Sequence, residues 1–108
     1  MSYTAHQDRF TLENLPPQSE WPELLFTLPE LHYPDRLNCA AELLDKMAAR
    51  HPAKLCIQSP ELRWTYKDLL EQANRMARVL TEDMGLVPGN RVLLRAANNP
   101  MLVAAWFA

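Results

Sequence analysis

A chain of 108 residues, 48% apolar and 22% charged, has room for one small core and the balance of an ordinary globular domain, which excludes a disordered tail and a fibrous protein. Its net charge of −2 comes from 13 acidic and 11 basic residues, and the basic ones form no run, so no nucleic-acid partner is expected. The opening MSYTAHQDRF lacks the basic start and apolar core of a secretory leader, and the apolar C-terminal run is far shorter than the roughly 20 residues of a membrane span, so no membrane partner and a cytoplasmic location are expected.

Five of the nine prolines (Pro16, Pro17, Pro22, Pro29 and Pro34) fall in the first 34 residues, where each removes a backbone donor and fixes one dihedral. Residues 1–37 are still rich in Leu, Trp, Phe and Tyr, which predicts an irregular, partly helical arm lying on an apolar surface. Asn38 is a suitable N-cap, and Ala40, Leu43, Leu44, Met47 and Ala48 then recur at helical spacing, predicting a helix over 39–50 that His51 and Pro52 end. KLCIQS and LRWT, on either side of Pro60 and Glu61, predict an antiparallel hairpin.

Thr65 and Asp68 make a capping-box start, after which Tyr66, Leu69, Leu70, Ala73, Met76, Ala77, Leu80 and Met84 trace one stripe up to Gly85, a suitable C-terminal glycine. RVLLRA has the continuous apolar centre of a strand buried on both faces, and Asn99 with Pro100 opens another helix. The order helix, hairpin, helix, strand, helix implies an α/β architecture, with the long helix as the crossover between parallel strands. The last helix is apolar on every side, as fits one sandwiched between a sheet and further protein. From Met101 to Ala108 no polar turn, glycine or basic last turn appears, so the pattern reads as interrupted inside that helix. Residues 38–108 are accordingly expected to be a partial α/β subdomain, truncated within its last helix.

Chemistry is harder to find. Gly85 and Gly89, in GLVPG, match neither the dinucleotide fingerprint nor the phosphate loop, and turn formation explains both. His6, His32 and His51 each stand alone, without metal-ligand spacing or a nucleophile partner. Glu42, Asp45, Asp68, Glu71, Glu82 and Asp83 fall on polar helix faces, where solvation and pairing with Lys67, Arg75 or Arg78 suffice. Cys39 and Cys56 match no zinc or redox spacing and are read as small apolar residues in a reducing compartment. Arg63, Trp64 and Tyr66 are the most distinctive cluster. A stacking platform for a base is one reading, and core packing, with alternation sending Trp64 to one face and its neighbours to the other, is preferred. No catalytic, cofactor-binding or metal-binding residue is assigned.

The stretch RWTYKDLLEQANRMARVLTEDMGLVPGNRVLLRAANNPMLVAAWFA resembles the opening segment of the AMP-forming acyl- and aryl-CoA ligases. That family's pattern runs Thr-Tyr, an Ala-Asn-Arg helix, Gly-Leu-x-Pro-Gly-Asp-Arg-Val, then Asn-x-Pro and an apolar helix. Upstream, the proline-rich lead before an Asn-initiated helix is similar to the benzoate and 2-aminobenzoate branch. Asn90 departs from the pattern, since many relatives carry aspartate there. The resemblance implies a parent enzyme using ATP, magnesium and coenzyme A: a carboxylate attacks the α-phosphate of ATP to give an acyl-adenylate, and the CoA thiol then displaces AMP. The residues that bind these groups would all lie beyond residue 108, so this piece is expected to be inactive and to bind none of them. The implied partner is the remainder of the ligase chain, and a homodimer through Leu102, Val103, Trp106 and Phe107 is expected where that remainder is missing. A fatty-acyl ligase, an amino-acid-adenylating domain and a freestanding interaction module are the alternatives.

Overall fold

The computed structural model describes residues 4–108, which form two compact units: residues up to Leu37 with Val87–Asn90, and Asn38–Leu86 with Arg91–Ala108. In the first, Asp8 accepts the Phe10 amide at 2.9 Å to start a single helical turn, α1 (Phe10–Glu13). Two 3-10 turns follow, Gln18–Glu20 and Pro29–Leu31. The prolines interrupt every longer hydrogen-bonded run. Local contacts take its place: the Trp21 indole N–H donates to the Pro16 carbonyl at 2.9 Å, and Phe26 meets Tyr33 edge to face at 6.1 Å. Leu24, Leu25, Phe26, Leu28 and Tyr33 all remain exposed.

The second unit opens where the Asn38 side chain accepts the Ala41 amide at 3.0 Å. The helical run over 39–50 that this cap starts contains a π turn, Ala41–Asp45, followed by α2 (Lys46–Arg50). Strands β1 (Leu55–Gln58) and β2 (Arg63–Thr65) then pair antiparallel, with Ile57 opposite Trp64 and Gln58 opposite Arg63. A bulge between Leu55 and Ile57 leaves Cys56 as the extra residue. Helix α3 (Tyr66–Arg78) begins with the complete capping box: the Asp68 amide donates to the Thr65 hydroxyl, and the Thr65 amide donates to the Asp68 carboxylate at 2.8 Å. A second π turn, Val79–Asp83, extends it to Gly85, whose φ of +67° suits a residue without Cβ. Helix α4 (Pro100–Phe107) is capped by Asn99, which accepts the Leu102 amide at 3.1 Å.

Packing follows from these starts. Leu44, Leu69, Ala73 and Ala104 form the buried centre, and Ile57, Trp64, Tyr66, Leu70, Val103 and Phe107 close around it. Small residues at 73 and 104 allow α3 and α4 to approach closely. Two positions assigned to apolar stripes lie outside this core, Leu43 at 57% exposure and Met84 at 65%. Both lie in or beside a π turn, whose wider pitch breaks the 3.6-residue period that places a stripe on one face.

The expected buried strand in RVLLRA is not formed. Residues 91–97 carry no regular structure, and Val92, Leu93 and Leu94 are exposed, Leu93 at 91%. A strand takes its hydrogen bonds from a neighbouring backbone, and among the described residues the segment 91–97 lies against no strand edge, the sheet consisting of β1 and β2 alone. The parallel crossover therefore does not assemble either, and among the described residues the second unit is a small mix of helices with one antiparallel hairpin.

Candidate functional site

The polar groups singled out in the sequence are dispersed by the fold. The turn containing Gly89 uses its own donors: the Asn90 amide donates to the Val87 carbonyl at 3.1 Å, and the Val87 amide to the Asn90 side chain at 3.0 Å. No row of free amides is left there to cradle a phosphate. His6, His32 and His51 are exposed, and among the described residues no group of three His, Cys, Asp or Glu side chains is placed to hold a metal ion. Glu42, Glu71 and Glu82 face Lys46, Lys67 and Arg78 one helical turn away, in exposed pairs of the kind that contribute little.

Two ionisable groups are held by their surroundings. Hydrogen bonds from the Thr65 amide and hydroxyl, the latter at 2.7 Å, keep the Asp68 carboxyl below its usual value, with a smaller contribution from the Lys67 charge. The carboxylate is engaged in starting α3. Burial pushes the Cys56 thiol up, and a hydrogen bond with Tyr66 only partly offsets this. A thiol held protonated is a poor nucleophile.

The cluster of Arg63, Trp64 and Tyr66 resolves toward packing. Arg63 is exposed, whereas Trp64 and Tyr66 both lie against the core. The expected alternation fails at Tyr66 because that residue opens α3, so its side chain follows the helix and not the pleat. No flat aromatic face beside an arginine remains for a base.

What the second unit does present is an apolar surface on either side of Leu94. One groove of about 320 Å³ runs between α3 and α4, with Met76, Val79, Leu80, Val92 and Met101 on its walls and Arg75 adding a charge. A second depression of about 420 Å³ is lined by Leu94, Leu102, Val103 and Trp106. Among the described residues, neither is lined by a nucleophile, a carboxylate or a histidine. The ATP and magnesium implied by the resemblance do not fit residues 4–108, which offer neither a phosphate cradle nor a set of carboxylate ligands.

Comparison with known proteins gives the family directly. The profile of the AMP-binding enzymes matches residues 44–108. Pyochelin synthase PchD, from two strains of Pseudomonas aeruginosa, is 37% identical over 68 residues, which cover 63% of this chain and 12% of that protein. Acyl-CoA ligase sidI of Beauveria bassiana is 36% identical over 69 residues, 62% of this chain and 12% of that protein. The chain thus spans about an eighth of the length of these curated relatives. No solved structure is a significant match.

Proposed function

The chain belongs to the AMP-binding enzyme family, and from that membership we propose that it is the N-terminal part of an ATP-dependent, cytoplasmic aryl-CoA ligase acting on 2-aminobenzoate or benzoate. The observation that carries the reading is the family match across residues 44–108, which takes in the capped helix from Thr65 and Tyr66, the GLVPGNRV turn and the Asn99-Pro100 helix start. Similarity to a protein named acyl-CoA ligase supports thioester formation as the second half of the reaction. The proline-rich lead before Asn38 supports the aryl branch.

In this reading the residues of the chain are scaffold. They supply no acid, base or phosphate donor, and ATP, magnesium and CoA bind to the remainder of the ligase. The exposed apolar side chains of residues 92–106 are the surface that this remainder covers, so that Leu93 and Trp106 become interior residues of the whole enzyme.

Carboxylate-dependent exchange of pyrophosphate into ATP tests the proposal on the full-length ligase that carries this segment. Exchange with 2-aminobenzoate or benzoate, followed by CoA thioester formation, is expected. Exchange confined to fatty acids or amino acids would overturn the aryl assignment. Calorimetry of the 108-residue chain with ATP is expected to show only heats of dilution, and saturable micromolar binding would overturn its assignment as scaffold.

A further inference from the structure

We infer that Asp8 and Asn90 form a latch that fastens the N-terminal arm to the Val87–Asn90 turn, and that the latch requires one carboxylate and one carboxamide. The two residues are 82 positions apart, yet the Asn90 side-chain NH2 donates to Asp8 Oδ2 at 2.7 Å, and both side chains are half-buried. Each partner is oriented from behind. Asn90 Oδ1 accepts the Val87 amide at 3.0 Å, which turns its NH2 toward Asp8, and Asp8 Oδ1 accepts the Phe10 amide at 2.9 Å, which turns Oδ2 toward Asn90. A four-part chain of donors and acceptors results, in which neither side chain can rotate without losing a bond.

The backbone supports the same contact. Gln7 and Asp8 both donate their amides to the Pro88 carbonyl, at 2.8 and 3.0 Å, using its two lone pairs. Gly89, at a φ of +99°, lies so close to the Asp8 carbonyl that a Cβ would collide with it. Three consecutive residues therefore serve the latch, Pro88 with its carbonyl, Gly89 with its missing side chain and Asn90 with its carboxamide. With Asp8 in place, an aspartate at position 90 would set two carboxylates at hydrogen-bonding distance, and like charges so close cannot both stay ionised without repulsion.

Exchange of the Gln7 and Asp8 amides with deuterated water, followed by NMR on the 108-residue chain, reads the latch, with the Leu69 and Ala73 amides as internal controls. Asn90→Asp is expected to speed exchange at Gln7 and Asp8 about tenfold or more, the loss that follows when a hydrogen bond to a charged group is replaced by repulsion. The controls should not change. The reciprocal double variant Asp8→Asn, Asn90→Asp is expected to restore protection. In it the carboxylate moved to position 90 still accepts from the Val87 amide, the carboxamide moved to position 8 still accepts from the Phe10 amide, and the hydrogen bond between the two side chains runs the other way. Gly89→Ala should open the same two amides through its collision with Asp8. Unchanged exchange in Asn90→Asp, or no recovery in the double variant, would overturn the latch. Equal acceleration at Leu69 and Ala73 would overturn it as a local device.

Discussion

Leu69 and Leu93 are the same side chain, yet one is 1% exposed and the other 91%. The difference lies in what each segment requires of its surroundings. Helix α3 satisfies its own backbone, carries its own cap at Thr65, and needs only one neighbouring face, which α4 and the hairpin supply. The segment around Leu93 has the composition of a buried strand, but a strand completes its hydrogen bonds only on another backbone. An apolar sequence therefore states a capacity for burial, and the partner decides whether that capacity is used.

The strongest way to break this comparison is to shorten both leucines. Leu69→Ala is expected to lower unfolding free energy by about 2–5 kcal/mol, as for fully buried leucines, whereas Leu93→Ala should stay within about 0.5 kcal/mol of the parent chain in urea titration. Equal effects at the two positions would mean that residues 91–97 are packed in solution. The cap sharpens the contrast at smaller scale. Thr65→Ala should cost about 1 kcal/mol, because the helix-entry amide at Asp68 loses its acceptor, and circular dichroism during denaturation would show the loss.

The smallest expected effect is a pH dependence with a definite sign. Asp68 titrates lower in the folded chain than its ordinary value of 3.8, so its contribution is complete above that value and is lost as the pH falls through the lower, folded one. Asp68→Asn should flatten the stability profile in this acid window and leave its shape near neutrality unaltered. A profile identical to that of the parent chain below pH 3.8 would show that the Thr65 bonds do not persist in solution.

The parts of the fold legible in the sequence were those whose signals are local. Asn38, Thr65 with Asp68, and Asn99 with Pro100 each mark a helix start within a few residues, and the structure places a side-chain cap at all three. The hairpin followed from two short apolar runs around Pro60. Period-based readings failed where geometry changed mid-helix, at Leu43 and Met84, because nothing in AELLD or VLTED marks a π turn. The strand reading failed at RVLLRA because pairing is not encoded in the strand itself. Sequence reasoning also passed over the contact of Asp8 with Asn90, since a hydrogen bond across 82 residues leaves no local trace.

The bulge at Cys56 has a use outside structure. Cys39 lies exposed at the start of its helix, while Cys56 sits half-covered against the core with its thiol held protonated. Two thiols of the same chain thus differ in reactivity toward an alkylating reagent, the exposed Cys39 reacting faster than the half-covered Cys56. The ratio of the two labelling rates turns a mass spectrum into a reading of how well the hairpin covers the core, with Cys39 as its built-in standard.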